Sequence, residues 1–143
     1  IVEANEGRPT KVEGNPRHSQ SLGATNAYQQ VMDSPYAAIG LRSRAQVGLG
    51  RVLEKMAETA APDEKKSLQN QALNHYLDVF DGKNLRGGET QKDPFWMKKA
   101  GLQALPLMIS LQAGNPDKFL DRLEAALPAL KESLEKKRAS LRN

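Results

Sequence analysis

Two segments of this chain combine apolar residues at helical spacing with small residues where a second helix would have to come close. Ala45, Val47, Leu49, Gly50, Val52 and Leu53 lie on the first, and Ala72, Tyr76, Val79 and Phe80 on the second. Three- and four-residue steps gather such positions into a stripe along one helix face. A glycine inside a helix costs roughly 1 kcal/mol against alanine, so Gly48 and Gly50 make physical sense beside a closely packed neighbour. One pair of such helices cannot bury both stripes by itself, and units of this kind occur in stacks. The expectation is an all-α chain of antiparallel helical hairpins, stacked as a short solenoid.

The remaining segments fit that expectation and bring the count to about five helices. Ser21 to Asp33 carries Leu22, Ala24, Ala27, Tyr28 and Val31, and Ser34-Pro35 ends it, because a residue before proline is pushed out of the helical region. Ser34 or Pro35 opens a second helix that runs to Thr59. A third spans Pro62 to Phe80 and is closed by Asp81-Gly82. Asp93-Pro94 supplies a cap and a first-turn proline for a fourth, Phe95 to Gln112, which Pro106 is expected to kink or interrupt. Ala113-Gly114-Asn115-Pro116 is a turn, and a last helix runs from Pro116 to Leu141, kinked or split at Pro128. Lys83 to Lys92 reads as a connecting loop, open to early proteolysis.

Residues 1–21 read as a flexible N-terminal segment, or as the end of a truncated preceding helix, and residues 22–143 as the helical domain. The chain opens Ile1-Val2-Glu3-Ala4 without methionine or a signal-peptide core, as a processed or truncated chain would. No apolar run approaches the ~20 residues of a membrane-spanning helix. Twenty-one basic residues face seventeen acidic ones for a net charge of +4, with the two signs interleaved. Such a balance describes a mixed, solvated surface, and nucleic-acid binding is not the expected role. The lack of cysteine excludes disulfides, thiolate metal sites and cysteine nucleophiles.

The pairing of residues across segments resembles the tetratricopeptide (TPR) repeat, in a divergent bacterial form. Leu49, Gly50 and Leu53 match the first helix of that repeat, and Ala72, Tyr76 and Val79 the second. Ala24, Tyr28 and Val31 repeat the second-helix pattern, with Pro35 near the proline that ends a repeat. Ala100-Gly101 and Phe119, Leu123 and Ala126 echo it again. The likeness covers residues 22 to 127. Met56 to Leu68 is longer than a repeat of about 34 residues allows, Gln46 stands where the family has tryptophan, and Trp96 lies one residue early. The resemblance implies a noncatalytic scaffold that presents concave helix faces to a protein or peptide. Compartment stays open, with a bacterial extracytoplasmic one favoured by a small margin.

No catalytic residue, metal ligand or cofactor site is expected. His18 and His75 lack placed partners, and His75, Asp78 and Asp81 drift around a helix rather than converge. Gly82-Lys83-Asn84 and Gly87-Gly88-Glu89 lack phosphate-loop spacing. Partner contact is assigned to Tyr28, Arg44, Arg51, Tyr76 and Trp96. Arg42, Arg44 and Arg51 read as an exposed helix face able to grip a carboxylate with both guanidinium nitrogens. The alternative is a basic nucleic-acid-binding domain using Arg42, Arg44, Arg51, Lys136, Lys137 and Arg138. An enzyme fragment whose active site lies elsewhere is the third possibility.

Overall fold

Prolines set most of the helix starts. The computed structural model describes residues 16–142, and four of its six α-helices begin with one: α1 (Pro16–Asp33), α3 (Pro62–Asp81), α4 (Pro94–Leu111) and α5 (Pro116–Ala126). Only α2 (Ile39–Ala57) and α6 (Lys131–Arg142) do not. A first-turn proline gives up an N–H that has no partner within the helix, and its fixed φ suits the helix. Side chains complete two of these starts: the Trp96 N–H donates to Asp93 Oδ1 at 3.0 Å and the Lys118 N–H to Asn115 Oδ1 at 3.0 Å. At the other end of α3, Gly82 takes φ 77° and lets the Lys83 N–H turn back to the Asp78 carbonyl at 2.8 Å.

Several boundaries differ from those read in the sequence. α1 begins at Pro16, inside the segment assigned to a flexible tail; the Asn15-Pro16 pair repeats the Asn115-Pro116 pair that opens α5. Residues 1–15 of that tail lie outside the described residues. α2 starts at Ile39, because Ser34 to Ala38 form a turn closed by the Ala37 N–H on the Ser34 carbonyl. α4 runs through Pro106, which lies on its exposed face. The last helix is split rather than bent. Leu127 leaves helical geometry at φ −131°, a 3₁₀ turn spans Pro128–Leu130, and α6 follows. That split makes six α-helices among the described residues where five were expected.

Consecutive helices pack on one another from α1 to α6, and α4 also reaches α2. The start of α2 lies against Asn84, just beyond the end of α3, so these two helices run antiparallel. Glycines sit at the crossings. A Cβ on Gly50 would lie 2.5 Å from Tyr76 Cε1, one on Gly48 2.6 Å from Tyr28 Cζ, and one on Gly101 2.7 Å from a Leu123 methyl. Gly48 and Gly50 are two residues apart, hence about 200° apart around the helix. α1 therefore closes on one side of α2 and α3 on the other.

The core runs through α2, α3, α4 and α5, with Leu134 as the anchor of α6. Tyr76, Leu120 and Leu123 are among its largest fully buried side chains. Phe80 and Phe119 meet with ring centroids 5.2 Å apart, and the Arg122 guanidinium covers Phe80 at 5.2 Å. Among the described residues no helix is long and apolar enough to cross a membrane.

A cleft between the first, second and fourth helices

The face of α2 that turns away from α3 forms the floor of a surface cleft of ≈ 400 Å³. Tyr28 and Val31 of α1 wall one side, and Trp96 of α4 the other. Arg44, Gly48 and Arg51 recur along the floor at steps of four and three, the spacing that keeps side chains on one helix face. Leu41 lies at the same end of α2 and is 49% exposed. Phe95 stacks edge-on against Trp96 at 4.9 Å and is itself 57% exposed. Arg44 and Arg51 are exposed, and among the described residues neither has a carboxylate within 4 Å.

Four of the five residues assigned to partner contact therefore share one cleft: Tyr28, Arg44, Arg51 and Trp96. Tyr76 is not among them. It is 0% exposed, packs on Gly50, and donates its hydroxyl to Glu54 Oε2 at 2.5 Å. Burial and the Glu54 carboxylate push its phenol far above the usual range. Val31, Leu41 and Gly48 were not assigned to the site, although their three- and four-residue spacing along α1 and α2 carried the signal.

Arg42 corrects the picture of an arginine face. It is 3% exposed and points away from the cleft, into the joint between α2 and the loop from Lys83 to Lys92. Its guanidinium grips Glu89 with both nitrogens, at 3.0 and 2.5 Å, and donates to the Ala37 and Asn84 carbonyls. The bidentate carboxylate expected from outside is thus supplied by the chain itself. Glu89 also accepts the Arg86 N–H at 2.7 Å, and Arg86 donates its side chain to the Met32 and Ser34 carbonyls at the end of α1. Hydrogen bonds from Arg42 and Arg86 hold the Glu89 carboxyl below its ordinary range. This loop, expected to hang free, is a strap tying α1 to α2, and it leads directly into the helix that carries Trp96.

Two basic side chains of the C-terminal helix are also matched internally, while Lys137 is exposed. Arg138 pairs with Asp117, Asp121 and Glu124 on α5, and Lys136 with Glu132 at 3.6 Å. Gln46 donates to His75 Nδ1 at 3.2 Å, while Asp81 pairs with Arg122. Among the described residues no three His, Asp or Glu side chains gather as a metal site.

Comparison with known protein families, with curated proteins and with solved structures returns no match.

Proposed function

We propose that this chain is a noncatalytic scaffold of stacked, TPR-like helical hairpins that docks a protein partner in the cleft between α1, α2 and α4. One observation carries the proposal: three helices bring apolar and aromatic side chains together around two arginines that have no carboxylate within 4 Å among the described residues. An exposed aromatic and aliphatic surface beside guanidinium groups is the composition of interface anchors. The order of packing, with each helix on the next and α4 back on α2, supports the stacked-hairpin reading. The nucleic-acid alternative loses ground because Arg42 and Arg138 are already engaged by carboxylates of the chain.

Affinity capture from the source lysate, at low and high salt, tests this with wild-type protein and Leu41→Glu. That variant puts a charge on the exposed end of α2 in the cleft and leaves the core alone. A discrete protein held at high salt by wild type and lost by the variant is the expected result. Recovery of nucleic acid that vanishes at high salt would replace the scaffold reading with the basic-domain one.

A further inference from the structure

Resting on the docking reading, we propose that the occupant of the cleft is an acidic amphipathic helix of a partner protein. It carries two carboxylates two turns apart, with a bulky apolar side chain between them. Arg44 and Arg51 stand seven residues apart on α2, on the same face, which puts them about 10.5 Å apart along the helix axis. Each planar guanidinium can take a carboxylate with two parallel hydrogen bonds. Between them the surface is apolar: the Tyr28 ring over Gly48, Val31 beside it, and Trp96 opposite.

Spacing selects the form of the occupant. In a helix, residues seven apart return to the same face about 10.5 Å on, matching the arginines. In an extended strand, same-face residues recur about every 6.6 Å, so its pairs fall at about 6.6 or about 13 Å and match the arginines less closely. The residues three and four positions beyond the first carboxylate lie between the two arginines and meet the apolar floor. Carboxylates recurring along a helix face also meet a guanidinium within this chain, there a single one. Arg138 holds Asp117, Asp121 and Glu124, which recur along one face of α5 at steps of four and three.

Charge and surface together favour protein over nucleic acid. A phosphate backbone carries a charge at every nucleotide and asks for a longer run of cations. Here two arginines share the cleft with aliphatic Val31 and Leu41, a surface suited to leucine, methionine or phenylalanine side chains.

An unconstrained displayed library of random peptides, selected on the full chain, tests the proposal, with Trp96 as reporter because it is the only tryptophan. Enriched peptides are expected to carry Asp or Glu seven apart with an apolar residue three or four after the first. They should become helical on binding and shift Trp96 emission, and Arg44→Glu or Arg51→Glu should weaken them by about tenfold or more. Both arginines are exposed, so an unchanged melting midpoint in each variant separates lost recognition from lost fold. Enriched peptides that shift Trp96 but lack paired carboxylates, or that bind without becoming helical, overturn the acidic-helix inference and leave the docking reading standing. If no peptide is enriched, both fall. A single-stranded DNA oligonucleotide that shifts Trp96 emission where peptides do not would likewise overturn both.

Discussion

The ring of Tyr76 lies against the backbone of Gly50 so closely that a single added carbon would come within 2.5 Å of it. Tyr76 is fully buried and its hydroxyl is held by Glu54, so the ring cannot swing aside. Gly50→Leu should therefore destabilise the fold by about 1–3 kcal/mol through overpacking. Gly23→Ala is the control, because among the described residues nothing lies within 4 Å of a Cβ at Gly23. It should raise stability by roughly 0.5–1 kcal/mol, the usual gain from replacing a helical glycine. Urea unfolding of the two variants should move the midpoint in opposite directions. Equal midpoints would dismiss the close crossing.

Limited trypsin digestion reads the strap. Arg86 is fastened to the end of α1 and Lys92 donates to the Phe80 carbonyl at 3.0 Å, so both bonds should resist cleavage in the native protein. Glu89→Ala removes the carboxylate that Arg42 and the Arg86 backbone share, and cleavage after Arg86 should accelerate. Rapid cutting of wild type at Arg86 would show that the strap does not hold.

Acid should weaken the fold in two stages. Burial lowers the His75 pKa below its ordinary 6.5, with Asp78 pulling weakly the other way, and Nδ1 accepts a hydrogen bond from Gln46 that a protonated ring would lose. The folded state thus favours neutral His75, and its contribution is present above 6.5 and lost as pH falls through the lowered folded value. The Glu89 carboxyl, also lowered, loses its contribution in a second window, below its ordinary 4.5. Unfolding free energy measured from about pH 8 down to about pH 2 should decline in both stages. His75→Gln should flatten the first and leave the second.

α6 hangs on one buried side chain, Leu134, and on the Arg138 cluster. Leu134→Ala should cost about 2–5 kcal/mol where it acts. Hydrogen exchange should place that loss in α6, whose amides become exposed while those of α2 and α3 keep their protection. Uniform loss across all helices would mean that α6 belongs to the central cooperative unit.

What the sequence revealed was whatever is written in local spacing. The stripes of α2 and α3, the first-turn prolines at 62, 94 and 116, and the close approach at Gly50 could all be read from neighbours a few positions apart. The cleft residues Arg44 and Arg51 share a face by the same rule. Tyr76 was misassigned because an aromatic on a helix stripe looks alike whether it faces a partner or a glycine of the same chain. Arg42 and Glu89 were opaque for a different reason. They lie 47 positions apart, and a buried arginine on α2 gives no local sign that a distant loop will neutralise it. The strap has no periodicity of its own, so its order comes wholly from what it meets.

Gly48 and Gly50 face in opposite directions from one helix, and this divides the consequences of mutation between them. A larger residue at Gly50 presses on Tyr76 and is felt in the stability of the whole molecule. A larger residue at Gly48 presses instead on Tyr28, a half-buried ring in the wall of the cleft, and would reshape what the cleft can accept. Two positions within one turn of backbone thus give evolution separate handles on durability and on the shape of the cleft, so under the docking proposal a lineage could change its partner without first rebuilding its core.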